Sequence, residues 1–116
     1  MELIRTREDM SYLAGIIDGE GCFYLAKRKQ RGNHSAYKTP RIVVANTNID
    51  LMNWLKENFG GYVTEHTPDN PKWSKSYQWT IAGNKALMLA NWIKPLLVVK
   101  QSEVDKLFVG LPLASV

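Results

Sequence analysis

The sequence predicts an α+β domain: one four-stranded antiparallel sheet with helices gathered on one face, in the order αββαββα. Three observations carry this. Apolar residues recur at helical spacing in some stretches and alternate in others. Paired glycines or clusters of turn-forming residues close those stretches. The helix–strand–strand pattern then occurs twice in tandem, which implies a single sheet. At 116 residues, positions 1–116 form one domain.

Thr6 caps the first helix, and Glu8 and Asp9 in its first turn oppose the positive helix end. This helix runs from about Arg7 to Asp18 and stops at Gly19 and Gly21. Cys22 to Lys29 reads as a strand, with Phe23 and Leu25 on one side and Tyr24, Ala26 and Arg28 on the other. Gln30 to Ala36 is turn chemistry, and Tyr37 to Ala45 returns as the second strand, with Ile42 and Val44 alternating against Arg41 and Val43. Thr47 and Asn48 offer caps for a second helix. Its apolar face is Leu51, Met52, Leu55 and Phe59, and Gly60-Gly61 ends it.

Tyr62 to Thr67 is the third strand and Ser74 to Ala82 the fourth, joined by a loop containing Pro-Asp-Asn-Pro-Lys. In the fourth, Tyr77, Trp79 and Ile81 point inward and Ser76, Gln78 and Thr80 outward. A third helix spans Lys85 to about Lys94, Pro95 interrupts it, and a short helix covers Lys100 to Val109. Trp54, Trp79 and Trp92 read as core, with Trp73, after a Pro-Lys turn, as the exception.

Hydrophobic residues make up 45% of the chain and charged residues 22%, a globular balance and not a disordered one. No apolar run has the length of a membrane span, the N-terminus lacks a signal-peptide core, and the expectation is an intracellular, non-secreted protein. The single cysteine, Cys22, excludes an internal disulfide and a cysteine-based zinc site. His34 and His66 are too isolated to argue for a metal site. The net charge of +4 is unevenly spread: between Glu20 and Asp50 there is no acid, while Lys27, Arg28, Lys29, Arg31, Lys38 and Arg41 fall in that stretch. That is either a solvated basic loop or a surface for a polyanion.

With helices on one face of the sheet, the other carries Tyr24, Arg28, Gln30, Tyr37, Thr39, Arg41, Thr64, His66, Ser76, Gln78 and Thr80. A long, polar, basic ribbon of this kind suits the major groove of double-stranded DNA. Lys27, Lys29 and Lys38 would neutralise phosphates, while Arg28, Gln30, Arg41 and Gln78 can reach base edges. An RNA-recognition strand motif is missing from Cys22–Lys29.

Residues 12–25, YLAGIIDGEGCFYL, break the helical pattern with small residues and two acids. Gly15 and Gly19 lie on one side of the helix, and a glycine inside a helix costs about 1 kcal/mol, so Gly15 needs a close-packing reason. Leu13-Ala14-Gly15-Ile16-Ile17-Asp18-Gly19-Glu20-Gly21 resembles the signature of the LAGLIDADG homing endonucleases, with Gly19 at the usual alanine and Glu20 at the second acid. The resemblance extends over about Ser11 to Val109: the αββαββα order matches the single-motif members, Asn46 stands where they carry a polar residue after the second strand, and Lys100 follows Pro95 as their C-terminal lysine does.

The resemblance implies a saddle-shaped sheet and a homodimer, with Leu13, Ala14, Gly15, Ile16 and Gly19 of the motif helix packed against a second copy. It implies a site-specific endonuclease that hydrolyses double-stranded DNA at a long pseudo-palindromic target, with no small-molecule substrate and no membrane. Glu20 and the Gly19 carbonyl would hold Mg²⁺, Mn²⁺ could substitute, and Ca²⁺ would bind without supporting cleavage. Lys100 would face the developing phosphorane charge and Asn46 would order water; by residue type alone they read as a surface lysine and a helix cap. Asp18 reads as a capping residue.

Two departures stand out. The metal acid is Glu where Asp is commoner, and Thr47–Trp54 lacks the basic residue some relatives carry early in the second helix, for which Lys75 or His66 could substitute. The alternative is a member that no longer cleaves and acts as an RNA maturase or DNA-binding protein.

Overall fold

A computed structural model describes residues 6–28 and 37–109. They form α1 (Arg7–Glu20), β1 (Gly21–Arg28), β2 (Tyr37–Asn46), α2 (Ile49–Phe59), β3 (Tyr62–His66), β4 (Ser76–Ala82), α3 (Asn84–Ile93), a 3₁₀ turn (Lys94–Leu96) and α4 (Gln101–Val109). The order matches the sequence pattern. The expected turn at Gln30–Ala36 lies outside the described residues.

The caps act as the residues suggest. The Thr6 hydroxyl accepts from the Asp9 amide at 3.1 Å, and the Asn48 side chain accepts from the Leu51 amide at 3.2 Å. Helix α1 runs two residues further than expected, to Glu20, because Gly19 stays helical and the terminal carbonyls find donors.

The sheet has the order β1-β2-β4-β3, with each neighbouring pair antiparallel. Its register sorts the side chains onto two faces. Phe23, Ile42, Val44, Trp79 and Ile81 face the helices and join Leu13, Ile17, Met52, Leu55, Phe59, Leu89 and Ile93 in one buried core. Each such side chain contributes about 1.5–3 kcal/mol by leaving water. Trp79 is wholly buried, and its indole N–H donates to the Gly60 carbonyl at 2.7 Å, so no donor is stranded. The turn that offers this carbonyl needs glycine: Gly61 has φ +83°, and a Cβ there would lie 2.4 Å from the Thr80 carbonyl oxygen.

Two expectations are corrected. Leu13 and Ala14 have no exposure, because the inner side of α1 (Met10, Leu13, Ala14, Ile17) points into this chain's own core. The open side of the helix is Tyr12, Gly15 and Gly19, with Ile16 half-buried beside them. Thr80 does lie on the face turned away from the helices, but it is only 2% exposed. It occupies the centre of the sheet, between the larger Val43 and Tyr62 in its rung.

Candidate active site

Glu20 is the last residue of α1, and β1 begins at Gly21. This immediate switch from helix to strand requires a small residue, since a Cβ at Gly21 would lie 2.9 Å from the Ile17 Cα and 3.1 Å from the Val43 carbonyl oxygen. The result is a carboxylate presented to solvent at a rigid junction.

Asn46, the last residue of β2, donates its side-chain N–H to the Glu20 carboxylate. Its side-chain oxygen accepts from the Asn48 amide at 2.8 Å, which fixes the orientation of the amide group. Asn46 is therefore not the helix cap that its type suggests, since Asn48 caps α2; it turns the chain towards that cap and braces Glu20.

Lys100 reaches the same corner from the other side. Its Nζ donates to the Ile17 carbonyl at 2.9 Å and to the Gly21 carbonyl. A cation at the C-terminal end of a helix opposes the negative end of its dipole. Two of the three ammonium hydrogens are thus engaged and one remains.

Asp18 holds that lysine in place. Its carboxylate accepts from the amides of Val98 at 2.7 Å, Val99 at 3.2 Å and Lys100 at 3.0 Å. These amides precede α4, so Asp18 closes a long-range clasp between the end of α1 and the start of α4. The sequence suggests a cap here, but not its partner, because the bonded residues are 80–82 positions apart.

Among the described residues no group of three or more His, Cys, Asp or Glu side chains converges to hold a metal. The corner offers one carboxylate braced by an amide, with main-chain carbonyls beside it. Cys22 is nearby on the open face; burial pushes its thiol above the usual range, Glu103 adds to the effect, and Lys100 opposes it.

On the open face, register joins Tyr24 to Arg41, Ala26 to Thr39, Gln78 to Thr64, and Ser76 to His66. Tyr24, Thr64, His66 and Gln78 are exposed, while Thr39, Arg41 and Ser76 are half-buried. The Arg41 Nε is buried with no hydrogen-bond partner among the described residues. Arg28 and Tyr37 pair at the outer end of the ribbon, whereas Lys29 and Gln30 lie outside the described residues. Lys38 belongs by register to the other side, directly opposite Lys27, on a stretch of strand that extends past the buried core. Two lysines face to face repel each other, which suits an anionic ligand and does little for the fold.

The corner thus combines a carboxylate braced at a helix–strand junction with a lysine seated on the adjoining carbonyls. The family model of the LAGLIDADG endonucleases matches residues 13–100, and the chain belongs to that family. Among solved structures it resembles the homing endonuclease I-CvuI in a DNA complex, with a TM-score of 0.69 at 14% identity over 89% of this chain and 65% of that one. It also resembles the archaeal intron-encoded I-Vdi141I bound to DNA (0.63, 21% identity, 81% of this chain and 60% of that one). A third similar structure is the group I intron-encoded I-CeuI bound to DNA (0.67, 17% identity, 94% and 56%). At these identities the similarity establishes the fold, and the chain spans between 56% and 65% of the length of these relatives. No curated protein sequence matches the chain.

Proposed function

We propose that the protein is a site-specific double-strand DNA endonuclease that works as a homodimer with a divalent metal at a long pseudo-palindromic target. The observation that carries this reading is the corner itself: Glu20 braced by Asn46 at the end of α1, with the Lys100 ammonium seated on the adjoining carbonyls. Family membership and the relatives described in DNA complexes support it.

The open side of α1 supports the dimer. Gly15 and Gly19 have no neighbouring atom within 4 Å of where a Cβ would stand. Nothing within the chain requires glycine there, while glycine in a helix costs about 1 kcal/mol. A second α1 laid across this strip supplies the missing reason. The interface residues are then Gly15, Ile16 and Gly19, joined by Tyr12, and not Leu13 or Ala14. Two-fold symmetry brings two Glu20 side chains together and makes the target two-fold related.

The donor set fits Mg²⁺, which takes hard oxygen ligands, commonly one or two carboxylates, and completes its shell with water and phosphate oxygens. Glu20 and the Gly19 carbonyl are the residues to hold it; Mn²⁺ suits the same donors. Ca²⁺, with its looser geometry, would bind without supporting cleavage, and I-CvuI is described in the presence of both Mg²⁺ and Ca²⁺. When bound, such an ion polarises the phosphate and lowers the pKa of a coordinated water. The chain's own residues do the rest. Asn46 keeps Glu20 in one orientation, the third Lys100 hydrogen is free for a phosphate oxygen, and Asp18 holds the Lys100 backbone.

The open ribbon reads the target. Tyr24, Arg28, Tyr37, Thr39, Arg41, Thr64, His66, Ser76 and Gln78 make up its contact surface; Lys38, on the other side of the strand's outer end, reaches a flanking phosphate, and the sequence adds Lys29 and Gln30 as contacts.

The test is digestion of a randomised palindromic duplex library with Mg²⁺ by the wild type and by Glu20→Gln. Defined cut ends from the wild type alone sustain the proposal. Binding by both, with cleavage by neither in Mg²⁺ or Mn²⁺, makes this a binding protein such as a maturase.

A further inference from the structure

The β3–β4 loop, residues 67–75, takes no part in the corner described above, yet it is a built structure. Pro68 and Pro71 stiffen it. The Lys72 amide donates to the Asn70 side chain at 3.0 Å, and the Trp73 amide donates to the Asn70 carbonyl at 3.0 Å. Lys75 lies 3.7 Å from Glu65 at the loop's return. This turn holds Trp73 in water at 67% exposure, whereas Trp79 is fully buried and Trp54 packs against the core.

Single exposed apolar residues are common and need no explanation. Trp73 differs because of where the turn holds it. It walls a recess of about 370 Å³ together with His66, Pro68, Asp69, Ser74 and Ser76. His66 and Ser76 form a rung of the open face, so the recess continues that face. The rung lies one step past the row Asn46–Tyr77–Glu65, level with the brace on Glu20 and two strands across from it. At the usual strand spacing that displacement is about 10 Å. Lys72, the residue before Trp73 in the same turn, is exposed and forms no ion pair among the described residues.

An exposed aromatic ring and a cation on consecutive residues of one fixed turn, at the margin of the open face, match the alternating sugar and phosphate of a nucleic-acid strand. Resting on the endonuclease reading above, we propose that Trp73 and Lys72 of each subunit grip the DNA backbone alongside the cleavage site, the indole against a deoxyribose and the ammonium on the adjoining phosphate. The contact anchors the duplex and reads no base.

The test uses the full chain, Ca²⁺ and a labelled random-sequence duplex. Binding is followed by anisotropy and indole exposure by acrylamide quenching, with Trp92 on α3 as an indole on the helical side that DNA leaves unchanged. Bound DNA should shield the wild type from acrylamide and leave Trp73→Phe less affected. Trp73→Ala should weaken binding about tenfold, equally across duplexes of different sequence. Lys72→Gln should lower the slope of log affinity against log salt by about 0.9 for each bound subunit. Bound DNA with unchanged quenching, or a Trp73→Ala loss confined to particular sequences, overturns the backbone grip. No binding of any duplex overturns the endonuclease reading, and the grip falls with it.

Discussion

Glu20 and Asp18 are two residues apart and do different work, and substitution separates them. Glu20 is exposed and contributes a single hydrogen bond to the fold. Glu20→Gln keeps the size and that bond, so the melting temperature should hold while cleavage drops to background. Asp18 accepts three main-chain hydrogen bonds. Asp18→Ala leaves those amides without their anionic acceptor and should cost about 2 kcal/mol, roughly a 10 °C fall in a thermal melt. Cys22 gives a pH signature. Its raised pKa means that the folded chain keeps the proton where the unfolded chain releases it, so this group withdraws stability as pH rises through that window. Iodoacetamide should accordingly label the folded protein more slowly than the denatured one at mildly alkaline pH.

Among the elements, α1 shows how far the sequence could be read. The cap at Thr6, the apolar side and the two acids at the far end are all local patterns, and all were legible. Which side of the helix faces outward was read wrongly for Leu13 and Ala14, because a motif helix that serves both a core and a strip of glycines has apolar residues on more than one side. Asp18's partners were not legible at all, since a clasp across 80 positions leaves no local trace. Thr80 was missed for a related reason: alternation assigns a face but says nothing of the neighbours that cover it. Two glycines test these elements. A Cβ at Gly15 has open space around it, so with Gly15→Leu the subunit should keep its circular dichroism, while sedimentation should show the proposed dimer lost. Gly61→Ala forces a side chain onto a φ of +83° and into the Thr80 carbonyl, and should destabilise by about 2 kcal/mol or more in chemical denaturation.

The whole molecule divides its labour between two surfaces. The helical face and the sheet side against it place their apolar residues in one core, and the opposite side carries the polar residues that the proposed DNA contact would use. The one-sided arrangement was legible, because tandem helix–hairpin units leave one sheet face uncovered. The most direct test of the central claim is to map both strands of a selected duplex after digestion in Mg²⁺. Two Glu20 side chains meeting at a dimer axis predict two nicks related by a two-fold, leaving short 3′ overhangs, with wild type mixed with Glu20→Gln giving fewer paired cuts. A single nick per duplex, or cuts unrelated by symmetry, would contradict the account.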